Sequence, residues 1–446
     1  MRNSRDFWRK YRWHWKCAEK TVLTEKLIHY FRQIPDYRCG REKRHDLGEM
    51  LVCVTLGFLC GRTTIRRSLK WCKTHLEELR KHMKLKYGIA SPSTITRMLC
   101  GIDEELALYA FMEWVGEIVD SRNTHLAVDG KALCGATEKT KGETTPMLLN
   151  VVETVRGLIL AQLPVDSKTN EITVIPELLK LLDISGSIVT IDAVGTQTAI
   201  MEQIHEQGGH FALTVKKNQP EAYEEIHTFM DKLGAEDLKR KKGEAMDPGM
   251  KEFLEKYEEI SQMEKNRDRN EYRTCQICKD ASNLTKSQKE WPHVQSIGRI
   301  KQVRIPKEKD SQGNDVTPSK EEFLEKGSRR VPAPSAEEGT GKDVQCTALI
   351  SDLILTAEEL GSIKRMHWSI ENRLHHVLDD TFREDRSPAK KSRNNLSLIR
   401  KYAYNILRLA MYETGLANIM TEMMDCFCDN AALRERYVFQ GIASLY

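Results

Sequence analysis

The stretch His125-Leu-Ala-Val-Asp129, with Gly130 directly after it, is where the pattern of the chain changes from helical to strand-like. It is a short apolar run that ends in an acid. Residues 147–155 and 158–165 are two further apolar runs separated by a two-residue turn, and this arrangement predicts a hairpin. The three runs together predict three strands that follow one another along the chain.

The segment after the hairpin alternates between helix and strand. Residues 170–182 and 196–207 carry apolar side chains at a helical period. Residues 187–192 are a short apolar run that ends in Asp192, and residues 210–215 predict another strand. The order strand, strand, strand, helix, strand, helix, strand predicts an α/β fold with a mixed sheet covered by helices.

The first 120 residues are helical in pattern and basic. Residues 1–45 contain 13 Lys and Arg against 5 Asp and Glu, and residues 61–98 contain 10 against 2. Ser91 followed by Pro92 is a helix-start signal. Such clustering favours a polyanion partner, since each neutralised phosphate releases condensed counterions. Nucleic acid is the leading candidate and a merely solvated basic face is the alternative. No single helix-turn-helix signature is clear.

The first 16 residues interleave aromatic side chains with Arg and Lys. Two interpretations are open for this segment. It could be a nucleic-acid-binding arm, in which aromatics stack on bases while the cations pair with phosphates. It could equally be a helix that docks its aromatic face on the body of the protein. Docking is the favoured interpretation.

Beyond residue 219 the pattern changes twice more. Residues 220–273 are highly charged and helical in character, and residues 271–305 contain β-like segments, so an inserted α+β sub-domain is expected. Residues 306–343 are nearly free of apolar side chains and predict a long mobile loop.

A long helix follows the loop. Thr356 and Glu359 form a capping box that opens it, and Glu371 lies beside its apolar face. That face is formed by Ile363, Ile370, Leu374, Val377 and Leu378. A final helix is predicted over residues 394–412.

Composition excludes several classes of protein. With 446 residues, 40% hydrophobic and 30% charged, the chain is expected to form two or three globular units. The longest apolar run, residues 50–61, is too short to cross a bilayer, and no secretion signal is recognised, so a cytoplasmic protein without a membrane partner is expected. The 12 cysteines are scattered through hydrophobic segments, as reduced thiols would be. Cys275 and Cys278 form a lone Cys-x-x-Cys without a second pair at zinc-ribbon spacing.

Three acids have the placement that two-metal phosphodiester chemistry needs. Such chemistry brings carboxylates from different elements to one edge of a sheet, where two Mg²⁺ ions lie about 4 Å apart. Asp129 is expected to close the first strand, Asp192 to close the fourth, and Glu371 to come from the later helix. The separations, 192 − 129 = 63 and 371 − 192 = 179 residues, leave room for a hairpin and helix and then for an inserted module.

Each acid also has an ordinary interpretation. An Asp after a strand is often a turn former whose side chain accepts backbone hydrogen bonds. Glu371 could be a solvated helix residue, with His367 and His375 as polar flanking groups at four-residue spacing. A His-Glu-His metal site formed by these three residues is a weaker alternative.

Several segments of the chain resemble one family in the same order. They are Val128-Asp-Gly-Lys131, Lys168-Thr-Asn-Glu171 running on to Ile175-Pro-Glu-Leu-Leu179, Thr190-Ile-Asp-Ala-Val-Gly-Thr-Gln197, Lys216-Lys-Asn-Gln219, His367-Trp-Ser-Ile-Glu-Asn372, Leu374-His375, Leu378-Asp379 and Phe382-Arg-Glu-Asp385. Ile34-Pro-Asp-Tyr-Arg38 and the Ser91-Pro-Ser-Thr94 helix start resemble the helical domain associated with that family. The family is the DDE transposases of insertion sequences, of the H-repeat-associated type, and the resemblance covers nearly the whole chain.

This resemblance implies a fold, a cofactor and partners. The expected fold is a ribonuclease H-like mixed-sheet catalytic core with an N-terminal all-helical domain and an inserted α+β sub-domain. The implied triad is Asp129, Asp192 and Glu371, holding two Mg²⁺ ions for which Mn²⁺ can substitute. The implied partners are double-stranded DNA, as terminal inverted repeats and as target, and a second copy of the chain in the synaptic complex. The implied location is the bacterial cytoplasm, on the nucleoid.

The domain boundaries expected on this basis divide the chain into five parts. They are a basic helical DNA-binding domain (1–120), the first part of the catalytic core (121–219), the inserted sub-domain with loop 306–343 (220–350), the last part of the core (351–412) and a C-terminal tail (413–446).

Roles for further residues accompany the triad. A water molecule would attack the phosphodiester at the element end, and the freed 3′-hydroxyl would attack target DNA. Candidates for DNA contacts are Lys131, Lys168, Lys216, Arg66, Arg67 and Arg97, with an ordinary surface role as the alternative. Candidates for ordering the loops around the site are Asn170, Glu171, Asn218, Gln219 and His375.

The chain also departs from the family pattern. Cys134 stands where the family tends to carry a basic residue, Leu378 stands where the wider group has Lys, and segment 306–343 looks inserted. Two rival functions remain: a catalytically inactive relative that binds DNA, and a nuclease of the same fold without strand transfer.

Overall fold

The computed structural model describes residues 24–133, 145–165, 170–265, 269–284, 291–306, 308–309, 315–316, 343–443 and 445. The expectations for the first 16 residues, for Cys134 and Lys168, and for most of loop 306–343 therefore lie outside the described residues. The chain divides into two compact units. One is Ile188–Arg365, and the other combines the chain up to Ser187 with the chain from Met366 onward. The predicted domain boundaries stay predictions.

The N-terminal part of the second unit is helical, as predicted. Its helices are α1 (Leu27–Gln33), α2 (Leu47–Leu59), α3 (Ile65–Thr74), α4 (Leu76–Leu79), α5 (Pro92–Gly101) and α6 (Glu104–Ile118), with a 3-10 turn at Gly40–Arg44. Every residue of α2 is buried. A Cβ at Gly57 would come 2.1 Å from the Cβ of Ser68, so glycine allows α2 and α3 to approach closely. Ser91 caps α5 by accepting a hydrogen bond from the Thr94 N–H, which confirms the predicted helix start.

Three strands and a helix follow in the same unit. They are β1 (His125–Ala132), β2 (Met147–Glu153), β3 (Leu158–Val165) and α7 (Glu171–Lys180). β1 pairs antiparallel with β2, and β2 with β3, so the predicted hairpin is confirmed. One expectation was wrong, because β1 does not end at Asp129. Gly130, Lys131 and Ala132 continue the ladder opposite β2, and the partner strand holds them in extended conformation.

The other unit begins with a parallel pair. β4 (Ile188–Ile191), α8 (Thr198–Glu206) and β5 (His210–Val215) occupy the predicted places, and β4 and β5 run parallel. A helix between two parallel strands is the usual crossover. Asp192 follows β4 directly, as predicted.

The later elements of this unit continue from β5. They are α9 (Pro220–Lys242), α10 (Lys251–Glu255), β6 (Tyr257–Lys265), β7 (Arg269–Cys278), β8 (Ser296–Pro306), the short β9 (Glu308–Lys309) and β10 (Asp315–Val316), and β11 (Asp343–Ser351). β11 pairs with β5 on one side and with β8 on the other, and β7 and β6 follow, all antiparallel. The sheet of this unit is therefore mixed.

The charged segment before residue 273 was expected to be helical, and in part it is not. Tyr257–Lys265 forms strand β6, paired along its length with β7. Apolar and polar residues do not alternate regularly along β6, so its sequence gives little strand signal. Its extended conformation depends on pairing with β7. Cys275 and Cys278 lie buried on β7 as free thiols, and burial raises the pKa of each to about 11.

The C-terminal part of the chain is helical. α11 (Ala357–Ile370) opens with the predicted capping box: the Thr356 N–H donates to Glu359 Oε2 at 2.8 Å, and the Glu359 N–H donates to Thr356 Oγ1 at 3.2 Å. Two π-helical turns, Glu371–His375 and Val377–Thr381, continue it, and α12 (Arg393–Thr414) is the predicted final helix.

Residues 413–446, expected only as a tail, are also largely folded. They form α13 (Met420–Asp429), α14 (Ala431–Arg434) and a π-helical turn, Glu435–Gln440. Met423, Phe427 and Tyr437 are buried there. Among the described residues, no helix combines the length and apolar character needed to cross a bilayer.

Candidate active site

Two carboxylates and an imidazole converge within one compact unit. Asp129, Glu371 and His375 each offer one potential metal-ligand atom, and these three atoms lie within 4.8 Å of one another. His375 Nδ1 lies 3.3 Å from Glu371 Oε2 and 3.7 Å from Asp129 Oδ2. His375 is only 7% exposed, whereas Glu371 faces solvent. These three side chains form a small polar centre with one open side.

Strand β1 positions the first carboxylate. Asp129 lies opposite Asn150 in the β1–β2 ladder, and its Oδ1 accepts a hydrogen bond of 2.9 Å from the Gly130 N–H. A Cβ at Gly130 would lie 3.0 Å from Met147 Sδ and 3.4 Å from the Glu171 carboxyl. The glycine therefore lets the Glu171 side chain approach the strand beside Asp129, which supports the predicted ordering role of Glu171.

A change of helix type positions the second carboxylate. The regular α-helix ends at Ile370, and the His376 N–H donates to Glu371 O across a π-helical turn. Such turns are rare and often occur at functional sites. Ile363, Ile370, Leu374 and Leu378 are buried, as the apolar stripe predicted, so the stripe anchors the helix while Glu371 stays at its edge.

Burial governs the charge state of His375. It lowers the pKa of His375, and the negative charge of Glu371 opposes this shift only in part. Nε2 is buried and has no hydrogen-bond partner in the part of the chain that the structure describes. The imidazole is thus neutral at neutral pH. His367, the other member of the alternative His-Glu-His site, does not belong to the three-residue group found among the described residues.

Lys131 is not placed to contact DNA phosphates, which corrects the sequence-based prediction. It is 4% exposed and forms an ion pair with Asp379, with Asp385 at 3.4 Å and Glu384 at 3.9 Å. Burial alone would lower the pKa of Lys131, but its hydrogen bond to Asp379 and the nearby carboxylates raise it. Lys131 therefore ties β1 to the segment that follows the helix of Glu371.

A second buried lysine contacts strands β2 and β3 and was missed in the sequence. Lys401 of α12 donates hydrogen bonds to Asn150 Oδ1 and Gln162 Oε1. Complete burial lowers the pKa of Lys401 to about 7, although the charge of Glu384 acts in the opposite direction. The signal that could have found this group is Asn150, a polar residue with two apolar residues on either side in β2.

Asp192 belongs to the other compact unit and has its own partners there. Lys216 Nζ lies 2.9 Å from Asp192 Oδ1, and the side chain of Lys216 is half exposed. Burial alone would raise the pKa of Asp192, but the hydrogen bond from Lys216 and the one from the Ala193 N–H lower it. Asp192 is therefore ionised at neutral pH, and Lys216 is engaged with it.

The loop after Asp192 is held by two predicted residues. Asn218 Nδ2 donates to Ala193 O at 2.9 Å, and Gln219 Nε2 donates to Thr196 O. These bonds hold the loop that follows Asp192, and a role of Asn218 and Gln219 in ordering a catalytic site stays a prediction. Asn170 instead caps α7, because its side chain accepts a hydrogen bond from the Thr173 N–H.

The remaining predicted DNA contacts lie on the helical part of the chain. Arg66 and Arg67 are exposed on α3, and Arg97 is exposed on α5. Their exposure is compatible with the predicted role.

An α/β fold with a mixed sheet, in which a strand and a helix bring two carboxylates together, has the features expected of a ribonuclease H-like enzyme fold. Residues 120–406 match the family described as Transposase DDE domain, and residues 28–115 match the one described as DDE_Tnp_1-associated. The first match covers more than half of the chain, so this chain belongs to the DDE transposase family and its core is ribonuclease H-like. The family and the fold class inferred from the sequence are thereby confirmed.

Curated relatives agree with the family assignment. The chain is 28% identical over 388 residues to "Putative protein YbfL" of Escherichia coli (strain K12), covering 86% of this chain and 90% of that protein. It is 27% identical to the "H repeat-associated putative transposase YhhI" of the same organism, with the same coverage. A solved piggyBac transposase synaptic complex with hairpin DNA aligns with 93% of this chain and with 80% of its own chain, at 9% identity and a TM-score of 0.36.

Proposed function

We propose that this chain is the transposase of an insertion sequence, which cuts DNA at the terminal inverted repeats of the element and joins the freed ends to target DNA. The observation that carries the proposal is the convergence of two carboxylates, Asp129 from β1 and Glu371 from the turn after α11. One ligand atom of each lies within 4.8 Å of the other. Asp192 is proposed to complete the acidic triad.

The donor chemistry of the triad fits divalent metal ions. Carboxylate oxygens are the ligands that Mg²⁺ prefers in proteins, and Mn²⁺ accepts the same set. We propose that Asp129, Asp192 and Glu371 hold two Mg²⁺ ions, for which Mn²⁺ can substitute. When bound, these ions activate the attacking oxygen and stabilise the leaving oxygen of the phosphodiester. The low pKa of Asp192 keeps that ligand ionised, and Asn218 and Gln219 hold its loop in place.

A basic surface on the helical part is proposed to contact the DNA. Arg66, Lys70 and Lys73 follow one face of α3 at spacings of four and three residues, and all three are exposed. α5 contacts α3 and exposes Arg97. Neither helix contains an acidic residue. We call Arg66, Arg67, Lys70, Lys73 and Arg97 the basic face, and propose that it binds phosphates of the element ends.

Two copies of the chain are proposed to act together, since two element ends must be brought into one complex. The proposed place of action is the bacterial cytoplasm, on nucleoid DNA.

The direct test uses the full-length chain and DNA that carries both ends of the element. Asp129→Asn and Glu371→Gln each remove one anionic ligand while keeping the shape of the side chain. Each is expected to lower Mg²⁺-dependent cleavage about 10³-fold, because losing a metal ligand removes several kcal/mol of transition-state stabilisation. Asp380→Asn, at an exposed position on the same helical segment, is the matched control and should leave cleavage unchanged.

The same assay separates the rival functions. Cleaved ends that join a second DNA support a transposase, whereas cleavage without joining indicates a nuclease of the same fold. A wild-type chain that binds inverted-repeat DNA but never cleaves it with Mg²⁺ or Mn²⁺ would be an inactive relative, and the proposal would be rejected.

A further inference from the structure

We infer that His375 is a direct ligand of the metal ion held by Asp129 and Glu371, so that this site has one nitrogen and two oxygen donors and takes Mn²⁺ in preference to Mg²⁺. The inference rests on the proposed function, because it concerns the same metal centre. It goes beyond that function by assigning a ligand outside the acidic triad and a preference between cofactors.

Distances between the donor atoms carry the first step. Ligand atoms at about 2.1 Å from one ion lie about 3.0 Å apart at right angles and about 3.4 Å apart at tetrahedral angles. His375 Nδ1 lies 3.3 Å from Glu371 Oε2 and 3.7 Å from Asp129 Oδ2. Each carboxylate oxygen is thus about as far from the imidazole nitrogen as two ligands of one ion are, and one ligand atom of each of the three residues lies within 4.8 Å of the others.

The placement of the imidazole carries the second step. His375 is 7% exposed and lies on the π-helical turn that begins at Glu371, so the ring is held by packing rather than free to leave. The nitrogen that faces both carboxylates is Nδ1, so a ring bound to the metal through this atom carries its proton on Nε2. In that tautomer three electron-pair donors face one space, and a cation between them removes their mutual repulsion.

Ligand chemistry decides which cation this set prefers. Mg²⁺ is a hard ion that binds through oxygen and keeps several waters, whereas imidazole nitrogen suits transition metals. Mn²⁺ binds well to carboxylates and also accepts imidazole. A set of two carboxylates and one imidazole therefore favours Mn²⁺ over Mg²⁺, whereas three carboxylates alone would discriminate little.

The rival interpretation makes His375 a positioning residue. Its Nδ1–H would donate a hydrogen bond to Glu371 and fix the orientation of that carboxylate, without contact to the metal. Both interpretations predict that activity falls when His375 is replaced, so activity alone does not separate them. A spectroscopic signature of a metal–nitrogen bond does.

The experiment follows Mn²⁺ bound to the full-length chain by pulsed electron paramagnetic resonance. In the wild-type chain a directly bound imidazole is expected to give ¹⁴N modulation of the Mn²⁺ signal. Protein labelled with ¹⁵N-histidine should show that coupling replaced by the ¹⁵N pattern. This comparison needs no substitution and so does not depend on whether a variant folds.

Two variants then assign the nitrogen. His375→Gln should abolish the coupling and weaken Mn²⁺ binding about 10- to 100-fold, the usual range for a change at a metal site, while Mg²⁺ binding measured by competition changes less than about threefold. His376→Gln alters the neighbouring exposed histidine and should keep both the coupling and the affinity.

Each outcome bears on a different claim. Mn²⁺ that binds the wild-type chain without nitrogen coupling, and binds His375→Gln equally well, overturns the role of His375 and leaves the acidic site intact. If Asp129→Asn alone abolishes Mn²⁺ binding in that case, the proposed metal centre stands without its nitrogen ligand. A wild-type chain that binds no Mn²⁺ overturns both proposals.

Discussion

His125 illustrates how one buried side chain connects sequence, strand and pH dependence. It is the first residue of β1, it is fully buried, and its Nδ1 lies 2.7 Å from Thr154 Oγ1 in the same unit. Burial lowers the pKa of His125 to about 3. The folded strand therefore keeps this imidazole neutral over the whole physiological range.

We predict that this histidine makes the unit less stable in mild acid. In the unfolded chain the imidazole has its ordinary pKa near 6.5 and is protonated below that pH, whereas in the folded chain it stays neutral. The contribution of the neutral His125 to the free energy of unfolding is fully present above pH 6.5. It is lost as the pH falls towards 3, by up to about 1.4 kcal/mol per pH unit for one proton.

Urea unfolding of the wild-type chain and of His125→Gln between pH 7 and pH 5 measures this effect. The variant should have a lower stability at pH 7, because the packing and the hydrogen bond change, but a shallower loss towards pH 5. His376→Gln, at an exposed position, should follow the wild-type curve. Parallel curves for the wild type and His125→Gln would show that His125 does not titrate as described.

At the same scale, sequence identified individual residues unevenly. Asp129 and Asp192 were proposed as site residues because they end apolar runs, Glu371 because it lies beside the apolar face of a helix, and all three because of the resemblance. Lys131 could not be interpreted correctly, since its three carboxylate partners lie some 250 residues further along the chain. A buried lysine and an exposed lysine look the same in a sequence unless the partners are known.

The helices α3 and α5 show what a whole element can add. Their exposed cations repeat at helical spacing and contribute a local positive field that no single residue would produce. If this basic face binds DNA phosphates, its contribution depends strongly on salt, because binding releases counterions.

We predict that Arg66→Ala/Lys70→Ala weakens binding to duplex DNA and flattens its salt dependence. Each lost phosphate contact lowers the slope of log K against log salt concentration by about 0.9, so the double variant should lose about 1.8. Fluorescence anisotropy over a series of salt concentrations measures the slope. Lys242→Ala/Lys251→Ala removes two exposed charges from the other unit and is the charge-matched control. Equal slopes for both double variants would argue against the basic face.

Elements were easier to predict than their exact ends and partners. The hairpin β2–β3, the capping box of α11 and the Ser91 cap depend on residues within a few positions of one another, so their signals are visible in the sequence. The extension of β1 to Ala132 and the strand character of β6 depend on a partner strand, and neither was predicted.

At the scale of the whole chain, the C-terminal residues are part of a folded unit. The Thr24 N–H donates to Ile442 O at 2.9 Å, and Arg434 forms an ion pair of 2.8 Å with Glu78. Phe427 is fully buried, and its carbonyl accepts from the Sγ of Cys60, the residue that caps the C-terminus of α2. The end of the chain thus completes the core formed by the N-terminal helices.

We predict that Phe427→Ala destabilises this unit by about 3–5 kcal/mol, because it leaves a cavity in a packed core. Thermal unfolding monitored by circular dichroism should show a midpoint lowered by several degrees. Leu416→Ala removes an exposed apolar side chain that is 58% accessible, and should change the stability by less than about 0.5 kcal/mol. If the two variants unfold alike, the C-terminal helices do not contribute to the core as described.

The amino-acid sequence by itself determined the succession of strands and helices from β1 to β5, the helix caps and the basic character of the N-terminal helices. These properties depend on side chains that are close along the chain. Only the tertiary structure decided that His375 faces Asp129 as well as Glu371, that Lys131 pairs with three carboxylates, and that Lys401 is buried against β2 and β3. Asp129 and Glu371 are 371 − 129 = 242 residues apart. The entropic cost of closing a loop of this length changes only slowly with the number of residues, so sequence spacing does not indicate whether two residues are in contact. The packing of the apolar faces of strands and helices determines which distant residues come into contact.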